Sequence, residues 1–270
     1  MTIVYNTKVY KSGNVIEVYR YQESRVAGFK ASKGKGSGAK FLNIEDFVDK
    51  DTGEINDVPV QDTKLESRAK SNIRARNNIR RLALSNFSGK ESKFITFTFH
   101  ENVQDLEEAN TYFTKFIRSL KNYTKKKNDN EKLTYLAVIE FQERGAVHYH
   151  MICNGLPKYP NYKEIIDLWR KANKDKGGSV KVEDIRHVDN VGAYIVKYMT
   201  KADADERLVG KKMYQCSKGL DKPLEIAGEK AEELVRELGL EGKKIVYQNE
   251  YQDKHTLGKV TYQEYNLNRL

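Results

Sequence analysis

Two apolar runs on either side of a short polar turn restrict the fold of this chain more than any other feature of its sequence. Residues 133–141 read LTYLAVIEF and residues 146–153 read AVHYHMIC. Both runs are rich in β-branched and aromatic residues, as strands are, and the polar residues and glycine between them suit a turn. The pattern predicts a β-hairpin.

Strand and helix patterns surround this hairpin. Residues 93–99 (KFITFTF) and 179–186 predict strands, whereas the spacing of apolar residues in 105–123, 162–174 and 189–201 predicts helices. The elements follow the order β-α-β-β-α-β-α, which predicts an α+β fold built on an antiparallel sheet.

The two ends of the chain carry patterns of their own. Residues 3–21 predict a β-hairpin that turns at residues 11–14, and a loop rich in glycine, serine and lysine follows. After the last central helix we expect a linker, a helix at 225–238 and two tyrosine-rich strands, 244–252 and 257–267.

A surplus of basic residues favours a polyanionic partner. The chain has 270 residues and a formal net charge of +10, and lysine and arginine displace counterions from phosphate backbones. A helix predicted over residues 62–87 concentrates this charge, and it fits either a solvated face or a surface that contacts phosphates. Its basic residues are Arg68, Lys70, Arg74, Arg76, Arg80 and Arg81.

Several classes of protein fit the sequence poorly. The glycine-rich loop lacks the P-loop pattern of ATPases, because Ala39 stands where a glycine should follow Gly34 at a spacing of five. Cys153 and Cys216 provide no disulfide framework, so we expect reduced thiols and a cytoplasmic location. The N-terminus lacks the apolar core of a signal peptide, and no run approaches the roughly 18 apolar residues of a membrane helix, so no membrane partner is expected.

The central hairpin brings three possible metal ligands to one face. His148 and His150 are two residues apart on a strand, so both side chains point to the same side. If residues 143–145 form the turn, Glu140 lies opposite His148 on that face, with Cβ atoms about 5 Å apart. Two imidazoles and a carboxylate can hold a divalent ion and leave positions open for water or substrate. Histidine ligands favour Mn²⁺ over Mg²⁺, and both ions stay possible.

The other histidines lack such geometry. We expect His100, His187 and His255 to be structural or surface residues, and we expect the turn to point Glu143 at solvent. A cupin would place a glutamate soon after the histidine pair, but the next carboxylate is Glu164. An amidohydrolase barrel would need more histidines and more strand–helix repeats than the chain contains.

A doubled Tyr-x-x-Lys unit lies at residues 194–201, which read YIVKYMTK. On a helix, Tyr194, Tyr198, Lys197 and Lys201 share a stripe beside the apolar face, with the two tyrosines one turn apart. A helix edge with snorkelling lysines shows the same stripe. A phenol has a pKa near 10, so a nucleophilic tyrosine needs positive charge nearby, and a bound divalent ion can polarise a phosphodiester. Together with the histidine hairpin, this chemistry suffices to cut DNA through a phosphotyrosine bond.

Three motifs in this order resemble the HUH endonucleases, and within them the rolling-circle replication initiators of small phages and plasmids. FITFTF at residues 94–99 is similar to the family's hydrophobic first motif, Glu140, His148 and His150 match its metal-binding motif, and YIVKYMTK matches its two-tyrosine motif. The resemblance covers roughly residues 90–202. It implies a central antiparallel five-stranded sheet flanked by helices and related to RNA-recognition-motif folds.

The resemblance also implies an activity. Such an initiator nicks one strand of single-stranded or hairpin origin DNA, becomes joined to the 5′ phosphate through a tyrosine, and leaves a 3′-OH that primes synthesis. It implies Tyr198 as the first nucleophile and Tyr194 as the alternate, with Lys201 and Lys197 stabilising a phenolate or contacting the scissile phosphate. The chain shows no helicase domain, so a separate helicase and host replication proteins would act with it in a bacterial cell that carries the phage or plasmid.

We therefore expect three parts in the chain. Residues 1–60 would be an N-terminal extension with a β-hairpin and a basic loop, residues 61–202 the endonuclease core with its preceding basic helix, and residues 203–270 a C-terminal helix and β-hairpin. Two alternatives remain. The chain could be an HUH transposase or relaxase with the same chemistry, or a non-catalytic DNA-binding protein whose histidines are structural.

Overall fold

Two five-stranded antiparallel sheets and five α-helices make up the part of the chain that the structure describes. The structure is a computed structural model, and it describes residues 3–27, 63–127, 131–176, 178–199, 206–208, 211–253 and 256–269. The predicted α+β class with a five-stranded antiparallel sheet is confirmed. No helix in these residues is long and apolar enough to cross a membrane.

The elements follow one another as β1 (Ile3–Ser12), β2 (Val15–Ala27), α1 (Thr63–Asn86), β3 (Lys93–Phe97), α2 (Leu106–Lys127), β4 (Thr134–Phe141), β5 (Val147–Asn154), α3 (Tyr162–Ala172), β6 (Val180–Glu183), α4 (Val191–Val196), β7 (Tyr214–Cys216), β8 (Leu224–Ala227), α5 (Glu229–Glu237), β9 (Tyr247–Gln252) and β10 (Lys259–Asn266). The central sheet has the strand order β6-β3-β5-β4-β7, and the terminal sheet has the order β8-β1-β2-β10-β9.

The predicted central hairpin is present in the predicted register. Strands β4 and β5 pair antiparallel with Glu140 opposite His148 and Val138 opposite His150. The chain reverses direction through Gly145, whose φ of +85° lies in the left-handed region that a residue without a Cβ adopts most readily. Local turn chemistry and strand alternation therefore determine the register of this hairpin.

Helices cover the two faces of the central sheet differently. On one face Tyr149 stacks on Phe113 of α2, with ring centroids 4.2 Å apart, and Phe97 packs against Phe116 of α2 and Trp169 of α3. These rings are buried and form the main hydrophobic core. Strand alternation places the two histidines next to Tyr149 on the opposite face, which is the face covered by α4.

The helix predicted over residues 189–201 is shorter in the structure. Asn190 caps α4 by accepting a hydrogen bond from the Ala193 amide at 2.8 Å, and after Val196 the helix tightens into the 3₁₀ turn Lys197–Met199. Such tightening is common in the last turn of a helix, where carbonyl groups lack α-helical partners. The apolar face is as predicted, because Val191, Ile195 and Met199 are buried.

The terminal sheet joins the beginning and the end of the chain. Strand β2 pairs with β10, and Val9, Ile16 and Val18 pack against α5 in a second hydrophobic cluster. The sequence predicts the separate hairpin and strands but not their union, because pairing across more than two hundred residues leaves no local pattern. Strand β7 adds a fifth strand to the central sheet from the segment predicted to be a linker. The glycine-rich loop after the first hairpin lies outside the described residues.

Helix α1 uses part of its basic surface to contact the terminal sheet. Arg81 pairs with Glu17 through its Nε at 2.6 Å, and Arg80 pairs with Glu264 through its Nη2 at 2.5 Å. Both arginines are largely buried, so neither a solvated face nor a phosphate-binding surface describes their role. Arg74 is exposed, as both predicted roles for this helix require.

Candidate active site

The central hairpin brings Glu140, His148 and His150 together, and we call these three residues the ligand set. One side-chain ligand atom from each lies within 4.8 Å of the other two. The Nε2 atom of His150 and the Oε2 atom of Glu140 are 2.6 Å apart. Both histidines are buried, with exposed fractions of 6% for His148 and 4% for His150. This spacing allows all three groups to bind one ion.

A hydroxyl on the neighbouring strand fixes the orientation of one imidazole. Thr96 of β3 lies opposite His150 in the sheet, and its Oγ1 is 3.0 Å from His150 Nδ1. A hydrogen bond at Nδ1 holds the ring so that Nε2 faces Glu140. Metal-binding histidines generally have such a partner on the second nitrogen, which sets both the tautomer and the ring position.

The other imidazole contains an unsatisfied nitrogen. His148 Nε2 is buried and has no hydrogen-bond partner among the described residues. Burial, with help from the neighbouring His150, lowers the pKa of His148 to about 4, so the ring is neutral at physiological pH. A buried nitrogen without a partner is costly, and a neutral imidazole with a free lone pair is the form that binds metals. The residues present therefore fit a divalent ion.

A surface cavity gives access to the ligand set. It has a volume of about 500 Å³ and is lined by Glu140, Gln142, Glu143, Arg144 and His148. Glu143 is exposed, as its place in the turn predicts. A substrate can thus reach Glu140 and His148 from solvent, on the side of the site that the hairpin turn forms.

The doubled tyrosine unit lies against the ligand set. The ring of Tyr198 stacks on that of His150, with centroids 3.7 Å apart and planes inclined by 16°. Tyr194 meets Tyr198 edge-on at 6.1 Å, and Phe94 of β3 packs against both rings. The shortened helix α4 and the turn after it therefore place both phenols on the histidine face of the sheet.

The charges around the tyrosines are unequal. Lys197 places its Nζ 3.8 Å from the centre of the Tyr194 ring and 4.8 Å from that of Tyr198. Burial raises the pKa of Tyr198, and a hydrogen bond to Tyr194 and the nearby carboxylates of Glu183 and Glu140 add to this rise. Tyr198 therefore needs positive charge near its oxygen before it can act as a nucleophile.

The remaining predicted residues have mixed outcomes. His100 and His187 are exposed, in agreement with a surface role. Lys201 and His255 lie outside the described residues, so the role predicted for Lys201 stays a prediction. The sequence analysis missed two residues at the site: Thr96, which orients His150, and Glu183, which contacts Tyr194. Both depend on pairing between strands that are distant in sequence, so neither carries a local signal.

Comparison with known families adds one observation. Residues 92–203 match the model of a family described as Replication-associated protein, of the ORF2 type. This match supports a replication initiator. The matched segment is less than half of the chain, but it contains β3, the ligand set and both tyrosines. No curated protein and no solved structure matches the chain.

Proposed function

We propose that this protein is a metal-dependent endonuclease and strand transferase that initiates rolling-circle replication by nicking one strand of an origin. One observation carries the proposal: Tyr198 stacks directly on His150 of the ligand set, with Tyr194 beside it. A phenol next to a metal-binding set is the arrangement that a phosphotyrosine mechanism requires, because nucleophile and phosphate must meet within a few ångströms.

Glu140, His148 and His150 would hold the ion, which we expect to be Mn²⁺ or Mg²⁺. When bound, it supplies positive charge that polarises the phosphodiester and offsets the charge that develops during attack. The two imidazoles favour Mn²⁺, since nitrogen ligands suit it better than Mg²⁺. Thr96 keeps His150 oriented toward this position.

The tyrosine carries out the covalent step. Its phenol oxygen forms a bond to the phosphorus of the scissile phosphodiester, the bond from that phosphorus to the 3′ oxygen breaks, and the phenol proton is lost. The products are a 5′-phosphotyrosine and a strand with a free 3′-OH. Lys197 assists because its ammonium group lies over both rings, where a cation stabilises negative charge on a phenol.

Two adjacent tyrosines allow two transfers in one site. We assign the first attack to Tyr198, which contacts His150, and the strand transfer that ends a round to Tyr194. Lys201 is expected to contact the scissile phosphate or a phenolate. The substrate is single-stranded or hairpin origin DNA, in agreement with the net charge of +10. A separate helicase and host replication proteins would complete the reaction in a bacterial cell.

Two alternatives fit the observations less well. A transposase or relaxase could use the same chemistry, but the family match points to replication. A non-catalytic DNA-binding protein has no use for a buried imidazole nitrogen without a partner.

Tyrosine substitutions test the proposal. Single-stranded oligonucleotides that tile the replicon encoding the protein are labelled at the 3′ end, incubated with Mn²⁺, and examined for label that stays with the denatured protein. We expect attachment by the wild type, attachment at reduced rates by Tyr194→Phe and Tyr198→Phe, and none by the double variant. Tyr159→Phe is the matched control, because Tyr159 is 84% exposed. Attachment by the double variant at the wild-type rate contradicts the proposal.

A further inference from the structure

The Tyr194 hydroxyl has a carboxylate partner outside the ligand set. It donates to Glu183 Oε2 at 3.4 Å, near the long end of the hydrogen-bond range. Glu183 is the last residue of the edge strand β6 and lies opposite Phe94, the residue whose ring packs against both tyrosines. Catalytic hydrogen bonds are often long before substrate binds, so this distance is compatible with a working contact.

The surroundings of Glu183 keep it ionised. Its Oε1 accepts a hydrogen bond from Lys181 Nζ at 2.8 Å. Lys181 lowers the pKa of Glu183, with smaller contributions from the Tyr194 hydroxyl and from Lys197. The Lys181 side chain is 70% exposed, so this ion pair contributes little to folding stability. Glu183 is therefore a charged acceptor that the fold does not need for its own stability.

The hydroxyl groups form a chain that leads away from the ligand set. Tyr198, stacked on His150, is hydrogen-bonded to Tyr194, and Tyr194 donates to Glu183. Tyr194 thus touches the carboxylate directly, whereas Tyr198 reaches it through the Tyr194 hydroxyl. This order makes the two tyrosines chemically unequal.

We propose that Glu183 is the proton acceptor for Tyr194, an assignment that rests on the proposed nicking activity. As the Tyr194 oxygen bonds to phosphorus and the bond to the 3′ oxygen breaks, the phenol proton passes to the Glu183 carboxylate. The departing 3′ oxygen takes a proton from water. In the reverse, joining step, a 3′-OH attacks the phosphotyrosine and loses its proton to water, and Glu183 returns a proton to the phenol oxygen.

Paired backgrounds isolate this role. Glu183→Gln is made in the Tyr198→Phe protein, where Tyr194 alone can attack, and in the Tyr194→Phe protein, where Tyr198 alone can attack. The rate of covalent attachment to single-stranded DNA with Mn²⁺ is measured in both. We expect a fall of about a hundredfold in the first background, the usual size of a general-base effect, and less than about threefold in the second.

The design separates catalysis from folding. A loss of structure lowers both rates equally, so the second background is an internal control for Glu183→Gln. Asp184→Asn serves as the matched variant, because Asp184 is the adjacent carboxylate and pairs with Arg186; both rates should stay unchanged.

Three results overturn the assignment. Equal effects of Glu183→Gln in the two backgrounds, including no effect, remove Glu183 as the acceptor and leave the nicking activity standing. Failure of Tyr198→Phe alone to attach, while the wild type attaches, shows that Tyr194 is not a nucleophile. Failure of the wild type itself to attach ends the proposed function and this assignment together.

Discussion

Each of the two sheets buries a polar cluster, and the clusters differ in how completely their groups are paired. In the terminal sheet, Glu17 and Glu264 meet Arg80 and Arg81 of α1, and we call these four residues the glutamate–arginine cluster. Two carboxylates and two guanidinium groups balance in charge. In the central sheet, the ligand set keeps His148 Nε2 without a partner among the described residues. Complete pairing indicates a structural role, whereas incomplete pairing indicates a site for an external group.

Tyrosine hydroxyls complete the glutamate–arginine cluster. Arg81 donates to the Tyr19 hydroxyl at 2.9 Å, and the Tyr262 hydroxyl lies 3.0 Å from carboxylate oxygens of both Glu17 and Glu264. Buried charges stabilise a fold only when their hydrogen-bonding capacity is met in this way. These tyrosines therefore serve the structure, unlike those beside the ligand set.

The structural cluster also reaches the tyrosine helix. Asn190, which caps α4, donates to Glu264 at 3.4 Å. Next to it, Gly192 packs so closely that a Cβ there would lie 2.5 Å from the Arg80 carbonyl oxygen. The terminal sheet and α1 thus support the position of the helix that carries Tyr194 and Tyr198.

Removing one charge from the glutamate–arginine cluster should produce the largest effect on stability. Glu17→Gln leaves Arg80 and Arg81 buried with half of their partners, and we expect the free energy of unfolding to fall by about 3–5 kcal/mol. Urea denaturation measures the change. The matched control is Glu225→Gln at the partly exposed pair with Lys8, where the loss should stay below about 1 kcal/mol. Similar losses in the two variants would contradict a structural role for the cluster.

Removing an imidazole from the ligand set should have the opposite signature. We expect His148→Ala to bind Mn²⁺ more than about a hundredfold more weakly, since loss of a ligand exceeds the 10–100-fold cost of losing an outer partner. Its free energy of unfolding should change far less than that of Glu17→Gln, because the lost nitrogen has no hydrogen bond to give up. Calorimetric titration with Mn²⁺ and urea denaturation provide the two measurements. His187→Ala is the control at an exposed histidine, and a large stability loss with unchanged Mn²⁺ affinity would make His148 structural.

The smallest of the three effects is expected at Thr96. Thr96→Val removes the hydroxyl beside His150 Nδ1 while keeping the shape of the side chain, so Mn²⁺ affinity should fall by about 10–100-fold. The same titration measures it, with Thr111→Val as control, because the Thr111 hydroxyl bonds only within its own helix turn. An unchanged affinity would show that His150 is oriented by packing against Phe94 and Tyr198 instead.

Local patterns made the ligand set predictable and left the structural cluster hidden. A turn at Gly145 and strand alternation suffice to bring Glu140 opposite His148, and helix periodicity places Tyr194 and Tyr198 on one side of their helix. Arg80 and Arg81 carry the same local pattern as a solvated basic helix. Their partners lie on strands of a sheet formed by opposite ends of the chain, and no periodicity encodes that pairing.

The same limit explains the missed parts of the site. Thr96 and Glu183 belong to strands that the sequence predicts, but their contacts require the strand order β6-β3-β5. Strand β7 has only three residues, Tyr214–Cys216, and is too short for alternation to be recognised. Short elements and long-range pairing are therefore the features for which the structure was needed.

Metal-dependent covalent attachment tests the central claim most directly. The wild-type protein is incubated with single-stranded origin DNA in Mn²⁺, in EDTA, and in EDTA followed by excess Mn²⁺, and nuclease-trimmed peptides are analysed by mass spectrometry. We predict a nucleotide adduct on the peptide that contains Tyr194 and Tyr198, its loss in EDTA, and its return with Mn²⁺. An adduct that forms equally well in EDTA, or that maps to any other peptide, would contradict the account.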